Sequence, residues 1–204
     1  MENIRQQDNA LVWEHEHQIL RIEPWGADSL RVRATAGPAI LDDLPGALLQ
    51  PEPTEAQIEI GESQATIRNG AIAAELRSES GFRPPPIKLR FINARTGEEL
   101  LREAAAYFPR PGARQFKTVG GDHFRIQARF QAYAGERFYG LGQHQHGKLD
   151  QKGCVIDQFH YNTEVCIPFL LSNRGYGFLW HNPAVGRVEL GANQTRWVAQ
   201  AARQ

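Results

Sequence analysis

Hydrophobic and polar residues alternate in short runs along most of this chain. Leu20 and Ile22 fall on the opposite side from Arg21 and Glu23. Leu30, Val32 and Ala34 alternate with Arg31 and Arg33, and Phe124, Ile126, Ala128 and Phe130 alternate with Arg125, Gln127, Arg129 and Gln131. Successive side chains of an extended chain point to opposite faces, so period two predicts half-buried antiparallel strands. Further short strands are expected at residues 11–13, 57–60, 65–68, 72–76, 87–91, 167–171, 176–180, 187–190 and 195–198.

The punctuation fits many short strands. Residues 24–28 form a turn, and residues 36–56, rich in Pro, Gly, Asp and Glu, form a long surface connection. Asn69-Gly70 predicts a two-residue hairpin, since both residues tolerate the positive φ of a type I′ turn. Pro84, Pro85 and Pro86 cannot lie inside a strand or helix. Residues 98–107 have the composition of a short helix, but the hairpins around them favour a strand at 99–102. An all-β antiparallel β-sandwich or barrel follows, with no linker strong enough to divide residues 1–204 into separate domains.

Composition narrows the function classes. Lys plus Arg and Asp plus Glu both number 23, giving zero formal net charge. Nothing in that balance points to nucleic acid or an anionic membrane, and no apolar run reaches the ~18 residues of a membrane span. The polar start, with no apolar h-region, predicts no signal peptide and a cytoplasmic protein. Cys154 and Cys166 read as two reduced thiols rather than a disulfide framework.

Candidate chemistry concentrates in residues 135–183. Gly140 and Gly142 flank Leu141, but the later glycine and helix of a dinucleotide loop are missing, so a bulge or close backbone approach is expected. His144 and His146 stand two apart, on one face if extended, with His160, Asp150 and Asp157 near in sequence. Spacing fixes no convergent set of three or four ligands, so no metal and no cofactor is expected. Neutral His, Gln and Asn each offer a donor and an acceptor, which suits sugar hydroxyls. Asp150, Asp157 and Glu164 form no fixed nucleophile–acid pair of a glycosidase, and the serine-hydrolase, P-loop and zinc-protease motifs are missing. Tyr176, Phe178 and Trp180 share one strand face, either core or a stacking surface for sugar rings. Gly175 suits the left-handed position of the preceding hairpin loop.

Residues 136–142 (ERFYGLG), then Ile167-Pro168-Phe169, Asn173-Arg174-Gly175-Tyr176-Gly177 and Trp180-His181-Asn182-Pro183 resemble the N-terminal region of glycoside hydrolase family 31, which contains α-glucosidases and α-xylosidases. The resemblance implies a galactose-mutarotase-like β-sandwich preceding a (β/α)8 catalytic barrel. It places the catalytic aspartates in that barrel, whose nucleophile motif this chain lacks, so no residue here is assigned as catalytic and the chain alone is expected to be inactive. It also implies a loop reaching towards the substrate pocket. The place of a substrate-binding Asp in the α-glucosidases falls at Asn162, beside His160 and Tyr161. The surroundings of His144 and His146 are similar to bacterial α-xylosidase-like members, so the substrate-binding residues expected here are Asn162, Tyr161, His160, His144 and His146. The implied partners are a carbohydrate substrate, an α-linked glucoside or xyloside, and the C-terminal catalytic barrel. Two other readings stand beside this one: a stand-alone carbohydrate-binding sandwich and a sugar-epimerising enzyme on the same fold.

Overall fold

The computed structural model describes residues 3–44, 46–78, 87–104 and 112–204. Among them every regular element is a strand. In chain order these are β1 (Ile4–Gln7), β2 (Ala10–His15), β3 (Gln18–Pro24), β4 (Leu30–Thr35), β5 (Gln57–Ile60), β6 (Gln64–Asn69), β7 (Ile72–Ser78), β8 (Ile87–Asn93) and β9 (Glu99–Arg102), then β10 (Arg114–Gly120), β11 (His123–Gln131), β12 (Phe138–Gln143), β13 (Val155–Gln158), β14 (Val165–Ser172), β15 (Tyr176–Leu179), β16 (Gly186–Leu190) and β17 (Gln194–Ala202). The chain divides into two compact units. One comprises Met1–Leu44, Leu49–Glu103 and Arg203–Gln204, the other Pro45–Leu48 and Ala104–Ala202.

The first unit pairs a sheet of order β1-β2-β3-β4 with one of order β5-β6-β7-β8-β9, all antiparallel. Alternation does what the pattern requires. Leu11, Trp13, Leu20 and Ile22 project from one sheet and Ile67, Ala74, Leu76 and Leu89 from the other into a single core. On the opposite face of the first sheet, Glu23 gathers Arg21 at 2.9 Å and Arg33 at 2.9 Å. Arg33 also pairs with Asp42, and this guanidinium holds the Asp42 carboxyl below its ordinary range. The predicted strand at 99–102 forms as β9; residues 105–107 of the alternative helix, and the three prolines, lie outside the described residues.

One turn departs from expectation by a single residue. Asn69 pairs with Ile72 as the last rung of the β6–β7 ladder, so the two-residue loop is Gly70-Ala71. Gly70 takes φ +56°. Asn69 stays in the strand because its buried amide donates to the carbonyls of Gly26 (2.7 Å) and Ser29 (2.8 Å). Those bonds hold the β3–β4 turn and outweigh the turn preference of Asn.

The second unit pairs a sheet of order β10-β11-β17-β16-β13 with a three-stranded sheet of order β12-β14-β15. Rings join the layers: Phe178 of β15 lies 5.4 Å from Phe130 and 5.0 Å from Trp197, and Trp180 stacks on Trp197 at 5.9 Å. The aromatic face of β15 is therefore interior, which removes Tyr176 and Trp180 as sugar platforms. The fold is the predicted antiparallel β-sandwich.

Candidate functional site

The three-stranded sheet is a platform for one loop. Its base is locked by Glu136, a buried carboxylate whose Oε1 accepts from Ser172 Oγ (2.8 Å) and Tyr176 Oη (2.7 Å). Burial, then the bond to Glu136, pushes the Tyr176 phenol far above its ordinary value, so it remains a donor. Asn173 ties the β14–β15 loop back, with its Oδ1 accepting from Arg137 N at 2.9 Å and its Nδ2 donating to Gly135 O at 3.1 Å. Asp150 accepts from Phe138 N and Lys152 N, a structural task.

Strand β12 is distorted where glycine predicted it. Gly140, Leu141 and Gly142 take φ of +106°, +69° and +100°, and the β12–β14 register shifts across them. Pro168 of β14 sits opposite this bulge with no N–H to offer a ladder. The bulge also turns the Leu141 carbonyl out of the ladder, and His144 Nε2–H donates to it at 2.8 Å. Backbone groups freed by a bulge need such partners.

The other end of the loop is a tight turn from Tyr161 to Glu164, closed by Glu164 N donating to Tyr161 O at 3.3 Å. Asn162 and Thr163 form its tip and are exposed. Thr163 takes φ +71°, an outlying conformation for a β-branched residue. Three contacts from the β12 side hold it. Gln145 Nε2 donates to Thr163 Oγ1, Gln145 N donates to Glu164 Oε1 at 3.3 Å, and His144 Nδ1 lies 3.4 Å from Glu164 Oε2.

The five candidate side chains therefore differ in role. Asn162 projects from the tip without a hydrogen bond to another described residue. Tyr161 is half exposed, its ring 4.3 Å from that of Phe159. His160 is exposed, its Nδ1 accepting from Cys166 N at 3.2 Å. His146 is exposed and stacks on His144 at 5.8 Å, while its Nδ1 accepts from Lys148 N. His144 has a side chain only 7% exposed, with both ring nitrogens engaged within the chain. Glu164, Gln145 and Thr163 are the residues that sequence reasoning left without a positioning role. Among the described residues no three His, Cys, Asp or Glu side chains gather as a metal site.

This arrangement can hydrogen-bond hydroxyl groups around Asn162 and can hold its position, but it contains no nucleophile–base pair in contact. Residues 12–189 match the family model of the glycosyl hydrolase 31 N-terminal galactose mutarotase-like domain. The chain belongs to glycoside hydrolase family 31.

As a family 31 N-terminal domain it has close relatives. It is 36% identical to an uncharacterized family 31 glucosidase of Pseudescherichia vulneris, over 100% of this chain and 40% of that protein. It is 29% identical to α-xylosidase A of Aspergillus niger, over 91% of this chain and 27% of the relative. Among solved structures, a family 31 α-xylosidase from a soil metagenome, crystallised with xylose, superposes with a TM-score of 0.86 at 35% identity, over 97% of this chain and 30% of that one. A Flavobacterium johnsoniae dextranase at 14% identity and a TM-score of 0.75 shares the fold. The chain thus spans well under half the length of these relatives.

Proposed function

We propose that residues 1–204 act as the single N-terminal domain of a retaining α-glycosidase of α-xylosidase or α-glucosidase type, supporting a catalytic barrel and lending one loop to its substrate pocket. The supporting observation is the Tyr161–Glu164 turn. A strained threonine, clamped from the β12 side, sets out an unpaired amide at Asn162. A family membership that puts bond cleavage elsewhere gives such a loop a binding role. Asn162 donates to and accepts from sugar hydroxyls, Tyr161 and His160 flank it, and His146 extends the polar rim. His144 acts from behind, fixing the bulge and Glu164. The relatives named as xylosidases favour a pentoside substrate.

The test is Asn162→Ala in the full-length enzyme. Loss of one or two hydroxyl contacts should lower kcat/KM on an aryl α-xyloside about tenfold, near 1.4 kcal/mol. Unchanged kcat/KM rejects the loop assignment, and robust turnover by the 204-residue chain alone rejects the division of labour. A second reading, a stand-alone carbohydrate-binding module, draws on the half-exposed Tyr161 backed by Phe159. Titration of the chain with xylose- and glucose-containing oligosaccharides separates the two, saturable binding favouring the module.

A further inference from the structure

Where strand β14 begins, another strand pairs with it on one edge only. The Val165 carbonyl oxygen and the Ile167 amide nitrogen face Gly142 of β12, where a Cβ would stand 1.9 Å and 2.8 Å from them. Successive residues of a strand direct their backbone groups to opposite edges, so the Cys166 N–H points away from β12. On that edge β15 pairs with Phe169 to Ser172, and among the described residues no strand reaches Cys166. Its N–H goes to a side chain instead, donating to His160 Nδ1 at 3.2 Å.

This bond encloses the Asn162 turn. His160 and Cys166 bracket residues 161–164, whose own closure is the Glu164 N to Tyr161 O bond at 3.3 Å. The turn holds Thr163 at φ +71°, a conformation that persists only where the surroundings over-determine it. The clamp from the β12 side grips Thr163 and Glu164, beyond the tip. The bond to Cys166 fixes the arm that leads into it.

The imidazoles on the two sides of the turn make opposite demands on protons. A backbone N–H only donates, so His160 Nδ1 offers a lone pair and the ring keeps its single proton on Nε2. A doubly protonated ring has no lone pair and would set N–H against N–H. The ring nitrogens of His144 face the Leu141 carbonyl and the Glu164 carboxylate, both acceptors, so a second proton there leaves both contacts in place. His146, stacked on His144, accepts from Lys148 N outside the turn. The other titratable side chains on the elements around His160 are Asp157 of β13, Tyr161 and Glu164 of the turn, and Cys166 of β14. The Cys166 thiol lies 3.4 Å from Gln158 Oε1, and burial raises its pKa, so it stays protonated. Of these residue types only imidazole ordinarily changes charge between about pH 5 and 8.

We infer that His160 is a positioning residue that works only as the neutral ring: by accepting the Cys166 N–H it latches the arm of the turn and sets Asn162 against the substrate. The inference rests on the functional reading above and makes the grip of Asn162 depend on one proton. Acid removes the lone pair. The contribution of Asn162 is therefore complete above the imidazole range and is lost as pH falls through it.

The test is the ratio of kcat/KM between the full-length enzyme and its Asn162→Ala variant, in which groups that titrate elsewhere cancel. On an aryl α-xyloside the ratio should be about ten at about pH 7.5 and about two at about pH 5.5. In a His160→Asn background, where Oδ1 takes the place of the Nδ1 lone pair and binds no proton, it should stay above about five at both. In a His160→Ala background it should be about two at both. A ratio near ten at both pH values with His160 present overturns the latch and leaves the functional reading intact. A ratio that falls as steeply in His160→Asn as with His160 does the same. A ratio near one at both pH values, in an active enzyme, rejects the role of Asn162 itself, and the latch falls with it.

Discussion

Gly142 passes so close to Val165 that a Cβ on the glycine would stand 1.9 Å from the valine carbonyl oxygen. At φ +100°, any L side chain would in addition be strained. Gly142→Ala is therefore expected to cost about 3 kcal/mol or more. A thermal melt should show a drop of about 6 °C or more. A shift within error would mean that the bulge can relax, and that the β12–β14 contact does not set the loop.

Tyr176→Phe removes one of the hydroxyl donors to the buried Glu136 carboxylate. The expected loss is about 1–3 kcal/mol at pH 7, read from denaturant unfolding. The phenol's raised value also sets a sign. Above about pH 10 the unfolded tyrosine ionises while the folded one stays protonated, so the wild type loses stability as pH rises. The variant should lose less over that range. Parallel curves would show that Tyr176 does not dominate the alkaline limb.

Glu164→Ala cuts the support of the Asn162 turn from Gln145 N and from His144. In the full-length enzyme kcat/KM should fall about 3–10-fold, near 1 kcal/mol. Global melting should shift little, because the turn is on the surface. Glu164→Gln, which keeps an acceptor for Gln145 N, should restore most of the loss. Equal defects in both variants would speak against a positioning role.

Arg196, donating to Glu189 from Nε at 2.7 Å and also from Nη2, holds the Glu189 carboxyl below its ordinary range. A depressed carboxyl contributes stability that is fully present above the unfolded pKa of about 4.3 and is lost as pH falls through the folded one. Partial exposure limits the pair to about 0.5–1 kcal/mol. Glu189→Gln should therefore lower Tm by about 1–4 °C at pH 7, and the gap should close below about pH 4. A gap that persists at pH 3 would assign the loss to packing instead.

The strands that announced themselves were those with one wet face, such as β3, β8 and β11, where alternation survives because each side meets a different solvent. The bulge at Gly140–Gly142 and the positive φ of Gly175 (+84°) were legible for a backbone reason. Strands β1, β10 and β13 were not. β1 and β10 are largely exposed, and β13 is short, with Val155 outside and Ile156 and Gln158 inside, so none presents a hydrophobic period to read. The site divides the same way. The role proposed for Asn162 comes from motif order, whereas the partners of His144 lie 3 and 20 residues away, and no local pattern announces that Glu164 turns back to meet it. Positive φ at Thr163 runs against its residue type and left no trace in the sequence.

Strand β17 has a consequence for biosynthesis. It lies between β11 and β16 at the centre of its sheet, and the two residues after it close the first unit, Gln204 bonding Leu41 and Thr35 bonding Arg203 O. On the ribosome, β10–β11 and β13–β16 must wait as open edges until residues 194–204 have emerged. Long-range closure of this kind is slow and leaves unpaired strands exposed. The order in which residues 194–204 leave the ribosome, and not only the stability of the finished sandwich, therefore sets how long those edges stay open to other chains.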